Sequence, residues 1–233
     1  TGAMSARADR TIIHLDLDQF YCACEEQRDP TLRGVPFAVG GRPEGRGVVA
    51  SASYAARAFG VRSAMPMAHA VRLCPELVVV RPNFPAYRAA SHEVMERLHA
   101  LTELVEQISI DEAFLDVSAL GELGEQVAQR LQATVRAELG LSCSLGVAAN
   151  KLVAKIATDV GKSMARSGAM PSAICVVPPG EEAAFLAPLP ASALWGVGPK
   201  TADKLAGMGI LTIGDIAAWP PEDLARRFGQ HGS

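Results

Sequence analysis

Hydrophobic positions along this chain recur with two periods, and the switches between them mark out its elements. Thr11-Ile12-Ile13-His14-Leu15 is β-branched and apolar; it predicts a buried strand that runs directly into Asp16-Leu17-Asp18. Residues 22–32 predict a helix with Pro30 near its end, 35–39 a second short strand, and the glycine-rich run 40–47 a loop. Residues 48–51 read as a strand, 54–59 as a helix stopped by Gly60, and 67–73 as a helix ended by Pro75. Tyr87, Ala90, Val94, Leu98, Leu101 and Val105 then recur at helical spacing, with Glu93 and Arg97 as an i,i+4 pair. Residues 107–110 and 113–117 read as two strands joined tightly through Asp111-Glu112. Val127, Ala128, Leu131, Val135 and Leu139 mark another helix. Leu141, Cys143, Leu145 and Val147 alternate with polar or small residues, which predicts a strand buried on one face. Asn150 then caps a helix carrying Lys151 and Lys155.

With residues 22–84 set aside, the order is strand, helix, strand, strand, helix, strand, the ferredoxin-like βαββαβ arrangement of an α+β fold. Its usual strand order, 4-1-3-2, sets the first strand antiparallel to the third. The end of strand one, with Asp16 and Asp18, therefore lies beside the hairpin that carries Asp111 and Glu112. Each acid alone reads as a solvated turn residue; four together repel one another unless cations neutralise them.

Composition narrows the classes. With 49% hydrophobic residues the chain can bury a core, so disorder and a collagen-like rod are excluded. No apolar run approaches the roughly 18 residues of a membrane span. Five cysteines without a CxxC pair indicate neither a disulfide framework nor a zinc site. No charged-then-apolar leader precedes the first strand, and Thr1-Gly2-Ala3-Met4 reads as a cloning remnant in a tail over residues 1–10. The expectation is a soluble, cytoplasmic protein. The net charge of −3 is unevenly placed. Residues 25–74 carry seven Arg against four acids and residues 150–170 carry four bases against Asp159, whereas residues 75–149 hold five Arg against eleven acids. Basic segments flanking an acidic middle suit a protein that grips phosphates and holds carboxylates for a metal, although solvated helix faces give the same counts.

Clustered Asp and Glu without Cys or His suit a hard divalent ion, Mg2+ above all. Two such ions about 3.5–4 Å apart serve in-line phosphoryl displacement. A glycosidase pair is less well matched, since only 5% of residues are aromatic, and no histidine is placed for a serine or cysteine triad.

Four segments then carry a resemblance. Asp16-Leu17-Asp18-Gln19-Phe20-Tyr21, residues 51–61 (Ser51-Ala52-Ser53-Tyr54-Ala55-Ala56-Arg57 onward), Ser109-Ile110-Asp111-Glu112-Ala113-Phe114-Leu115-Asp116 and Gly146-Val147-Ala148-Ala149-Asn150-Lys151 stand in the order found in the Y-family DNA polymerases, in their DinB or DNA polymerase IV branch. The resemblance covers about residues 11–229. It implies a palm over residues 11–20 and 82–177, a small α/β fingers insertion over 21–81, and a helical thumb over 178–233, with the family's little finger domain absent from this sequence. Asp16, Asp111 and Glu112 would be the catalytic acids. Asp16 and Asp111 would hold both metals, Glu112 the catalytic one, and the Leu17 carbonyl the nucleotide-side one. The resemblance implies two Mg2+ ions, for which Mn2+ can substitute.

Tyr21, with Phe20 beside it, falls at the position of a steric gate that clashes with a 2′-hydroxyl; read without the family, the pair is one core ring and one surface ring. Tyr54 and Arg57, at i,i+3 on one helix, would reach the triphosphate, with Ser51 adding a hydroxyl. Lys162 would complete the cage. The family's Lys-Pro turn is replaced here by Lys162-Ser163-Met164-Ala165-Arg166, which leaves Arg166 as the other candidate. Asp18 alternates onto the face of Asp16, but the family pattern does not make it a principal ligand.

Beyond the hinge Pro178-Pro179-Gly180, Gly196-Val197-Gly198-Pro199-Lys200 between two helical runs has the form of a helix-hairpin-helix, in which Gly196, Gly198, Lys200 and Lys204 would contact DNA phosphates. The implied activity is translesion-type, template-directed DNA synthesis by a monomer. Its partners would be primer–template DNA, a dNTP and, in the full-length protein, a sliding clamp. A noncatalytic DNA-binding paralogue and a nucleotidyl cyclase of the same fold are the other readings.

Overall fold

A computed structural model describes residues 10–166 and 168–228. The tail expected over residues 1–10 falls, through residue 9, outside the described residues. The chain forms two compact units that divide between Val176 and Val177.

The first unit is built on a five-stranded sheet. Strand β1 (Ile12–Leu17) leads into helix α1 (Phe20–Arg28) and a 3-10 turn, Pro30–Leu32. A second sheet follows from β2 (Phe37–Gly40) and β3 (Val49–Ala52), with helices α2 (Tyr54–Ala58) and α3 (Met67–Leu73) leading to β4 (Val78–Val80). The chain returns through helix α4 (Phe84–Leu101), β5 (Val105–Gln107), β6 (Glu112–Asp116), α5 (Gly124–Leu139), β7 (Cys143–Ala148), α6 (Lys151–Ser163) and β8 (Ile174–Val176).

The large sheet has the order β5-β6-β1-β7-β8, and the small one β3-β2-β4. Read from β7 to β5, the first four strands give the expected 4-1-3-2, with β8 added in parallel at the β7 edge. Apolar residues on one side of β1 (Ile13, Leu15, Leu17) share a core with Val94 and Leu98 of α4 and Val127 and Leu131 of α5. Burying such side chains stabilises by roughly 1.5–3 kcal/mol each.

Four expectations are corrected here. Strand β5 ends at Gln107, because residues 108–111 form the hairpin turn, in which the Ile108 amide donates to the Glu112 carbonyl at 3.0 Å. Strand β7 is buried on both faces, because α6 covers the side that alternation assigned to solvent. Helix α4 ends at Leu101, so Val105, which recurs at helical spacing with it, falls in β5 instead. Strands β4 and β8 have no counterpart in the sequence reading.

The approach of α6 to the sheet depends on Gly146. A Cβ there would lie 1.9 Å from the Ala154 carbonyl oxygen and 2.7 Å from the Thr158 amide nitrogen. Asn150 caps α6 as expected, its Oδ1 accepting from the Val153 amide at 3.0 Å.

The second unit contains helices α7 (Glu182–Leu186), α8 (Pro199–Ala206), α9 (Ile213–Ala218) and α10 (Pro221–Phe228), with a 3-10 turn at Ala191–Ala193. Its core gathers Ala191, Leu205 and Ile210, with Val197, Ile216 and Trp219 against them. A capping box between Thr212 and Asp215 starts α9. No helix of the described residues is long and apolar enough to cross a membrane.

Candidate active site

The acids come from two strands whose ends meet. Alternation along β1 sends Leu15 and Leu17 into the core and turns His14 and Asp16 toward α6. Antiparallel pairing sets Asp16 opposite Glu112, and the Leu17 amide donates to the Asp111 carbonyl at 3.0 Å. Asp16, Asp111 and Glu112 thus share one corner.

Asp18 does not join them. It is fully buried, with Oδ1 accepting from Ser144 Oγ at 2.9 Å and Oδ2 from Ser142 Oγ at 2.8 Å and the Ser172 amide at 3.3 Å. Three donors supply this buried carboxylate, which ties the end of β1 to β7 and to the segment before β8.

Helix α6 brings two ammonium groups to the corner. Lys155 Nζ donates to Glu112 Oε2 at 2.8 Å, and Lys162 Nζ donates to Asp16 Oδ1 while standing 3.7 Å from Asp18 Oδ1. Arg166 lies beyond the end of the helix and is exposed. Burial pushes the Asp16 carboxyl up to about 7 against the pull of Lys162, with Glu112 and Asp111 pushing the same way as burial.

Glu112 is held low, at about 2, by the facing His14 ring and by Lys155, against its own burial. His14 Nε2 stands 3.8 Å from Glu112 Oε2 and has no hydrogen-bond partner among the described residues, while Nδ1 meets Thr158 Oγ1 at 2.8 Å. Burial lowers the His14 pKa, so the ring is neutral at pH 7 and the 2.8 Å Lys155 contact is the firmer hold on Glu112.

Three carboxylates beside a backbone carbonyl are the hard oxygen donors that Mg2+ or Mn2+ takes. Among the described residues no three Asp, Glu, His or Cys side chains close on a single point. Asp16 turns to Lys162, Glu112 to Lys155, and Asp111 Oδ1 accepts from Ser109 Oγ at 2.6 Å. The donor set therefore fits divalent ions in type and in neighbourhood, with the lysines holding the charges that ions would otherwise balance.

Next to this corner stand the residues expected to hold a nucleotide. Phe20 lies in the core at 3% exposure, and Tyr21 is the ring of the pair that reaches the surface. Tyr21 stacks on Tyr87 with centroids 4.5 Å apart and planes 15° from parallel. On α2, the Arg57 guanidinium lies 4.8 Å from the Tyr54 ring centroid, and its Nε donates to the Ala52 carbonyl at 2.9 Å. Burial pushes the Tyr54 hydroxyl pKa up, aided by the nearby Asp18 and Asp16 carboxylates. Ser51 is buried, with its Oγ 3.5 Å from Cys22 Sγ.

In the second unit, Gly196 has φ +95°, a conformation that favours glycine, and Gly198 precedes Pro199 at the start of α8. Lys200 is exposed, whereas Lys204 donates to the Arg227 carbonyl at 2.5 Å and lies 4.3 Å from the Phe228 ring centroid.

Two residues of the site were missed by sequence reasoning. Lys155 had a legible signal, since it lies two helical turns before Lys162 on the same face of α6. Gln19 had none: its contact with the Tyr54 amide joins positions 35 residues apart.

The family described as impB/mucB/samB matches residues 15–159, and the IMS family HHH motif matches residues 179–210. The DNA polymerase IV of Ralstonia nicotianae is 46% identical over 226 residues, 96% of this chain and 61% of that protein. The DNA polymerase IV of Pseudomonas paraeruginosa is 47% identical over 226 residues, 96% of this chain and 62% of that protein. The chain thus spans about three fifths of the length of these relatives. Among solved structures, DinB from Sulfolobus solfataricus superposes with a TM-score of 0.85 at 31% identity, over 95% of this chain and 64% of that one. The insertion ternary complex of Dbh DNA polymerase gives the same score, identity and coverage.

Proposed function

The chain belongs to the impB/mucB/samB family, the Y-family DNA polymerases, and on that premise we propose that it adds deoxynucleotides to a primer 3′-hydroxyl under the direction of a DNA template, in the translesion manner. The observation that carries the reading is the corner at which Asp16 pairs with Glu112 and the Leu17 amide meets Asp111, beside Tyr21, Tyr54 and Arg57. In this reading the five-stranded sheet is the palm, the three-stranded sheet with α2 and α3 the fingers, and the second unit a thumb whose Gly196, Gly198, Lys200 and Lys204 approach DNA phosphates.

Asp16, Asp111, Glu112 and the Leu17 carbonyl would hold two Mg2+ ions. When bound, such ions supply Lewis acidity that favours the alkoxide form of the attacking hydroxyl and neutralises charge on the departing pyrophosphate. Arg57, braced against Ala52 and stacked on Tyr54, presents a fixed, permanently charged fork to the triphosphate. Tyr21, backed by Tyr87, presents a ring edge where a ribose 2′-hydroxyl would sit. Lys162, whose ammonium donates to Asp16, stands next to the same corner and would turn to the triphosphate.

Primer extension with Mg2+ and single dNTPs tests the reading. Templated incorporation supports it, whereas DNA binding without incorporation favours a noncatalytic paralogue. In the same assay Lys162→Ala raises KM for dNTP by about 10-fold or more, as loss of a charged hydrogen bond predicts, and Arg166→Ala changes it less than about twofold. The reverse pattern assigns the phosphate contact to Arg166.

A further inference from the structure

We propose that Gln19 is a positioning residue for nucleotide binding: its side-chain amide anchors the first turn of α2, and with it Tyr54 and Arg57, to the end of the strand that carries Asp16. The proposal rests on the polymerase reading for what α2 binds, and on geometry alone for the anchor.

Gln19 sits at the junction of β1 and α1 with φ 43° and ψ 43°, left-handed backbone that L side chains other than Asn and Asp seldom adopt. Strain of this kind persists where the surroundings fix it, and here they do. The Gln19 carbonyl accepts from the Ala23 amide at 2.9 Å, which starts α1. The side chain, 6% exposed for the whole residue, crosses to the fingers segment: Oε1 accepts from the Tyr54 amide at 2.8 Å and Nε2 donates to Glu26 Oε1 at 3.3 Å.

Helix α2 is five residues long, too short to be stable alone. Its first-turn amides have no partners within the helix and must find them outside. Ser53 Oγ takes the Ala56 amide at 3.2 Å, an internal cap. Gln19 takes the Tyr54 amide, and this bond comes from the end of β1 that carries Asp16 rather than from the fingers sheet. Arg57 is in turn braced by the Ala52 carbonyl and the Tyr54 ring. One neutral side chain therefore couples the placement of the phosphate-binding pair to that of the acids, without contributing charge to either.

Steady-state kinetics with primer–template DNA, combined with amide hydrogen exchange at Tyr54, test this. Gln19→Met keeps the length and bulk of the side chain but lacks the acceptor oxygen, whereas Gln19→Glu keeps an acceptor. The Met variant is expected to raise KM for dNTP about tenfold with kcat and DNA affinity within about twofold, and to speed exchange of the Tyr54 amide. Combined with Glu26→Gln, which restores a donor opposite the new carboxylate, the Glu variant is expected to hold KM within about threefold and to keep that amide protected. A Met variant with wild-type KM and wild-type Tyr54 protection overturns the proposal. So does a parallel loss of kcat, DNA affinity and melting temperature, which marks a fold residue only. A wild-type chain that extends no primer removes the polymerase reading and the nucleotide role with it, whereas the Tyr54 exchange still reports the anchor by itself.

Discussion

Primer extension by an Asp111→Ala/Glu112→Ala variant falls by on the order of 10³-fold or more at saturating Mg2+ and dNTP, while the melting temperature stays close to that of the parent. The size follows from what the two side chains do. Both lie at the corner facing Asp16, neither belongs to a hydrophobic core cluster, and each is partly exposed. Their removal takes away two of the three acids that would hold divalent ions in the proposed reading, and it leaves the sheet intact. Lys155 loses its Glu112 contact, an interaction worth little to the fold at a partly solvated site. The activity loss is expected mainly in kcat, because the charge these ions balance is largest in the transition state. Rate assays under single-turnover conditions separate that from weakened nucleotide binding.

Gly146→Ala is expected to have the largest effect on stability. The added methyl would lie 1.9 Å from the Ala154 carbonyl oxygen, and both that atom and the Thr158 amide belong to helix backbone that cannot yield as a flexible side chain would. Relief requires α6 to lift from β7 and β1, at a cost of about 3 kcal/mol or more. For a unit of this size that lowers the first unit's melting temperature by about 6–12 °C. Gly45→Ala is the control, since nothing lies within 4 Å of the position and the change is expected to cost less than about 0.5 kcal/mol. Because α6 carries Lys155 and Lys162, residual folded Gly146→Ala protein is also expected to bind dNTP more weakly. A calorimetric scan showing no shift would contradict this close approach of α6 to the sheet.

Much of this was written in local sequence. The β-branched run before Asp16, the heptad-like recurrence through α4 and the Asn150 cap each follow from one element's own residues, and the antiparallel placement of β1 beside β6 follows from their order. The meeting of Asp16 with Asp111 and Glu112 was legible for the same reason, since topology sets the end of β1 beside the turn that leads into β6. What escaped depends on partners distant in sequence. The period-two pattern of β7 cannot reveal that α6 folds back over its polar side. Strands β4 and β8 have three residues each, too few for any period to register. Asp18 matches its neighbour Asp16 by alternation, yet Ser142, Ser144 and Ser172 draw it inward from more than a hundred positions away. Phe20 and Tyr21 could be told apart only by the core that α1 enters.

The most direct test of the shared corner is Mn2+ binding, read by electron paramagnetic resonance with a dideoxy-terminated primer–template and dNTP present. The parent chain is expected to retain Mn2+ beyond what free dNTP holds, and Asp16→Asn and Asp111→Asn/Glu112→Gln, both folded, to lose it. Undiminished Mn2+ binding in those variants would contradict the account.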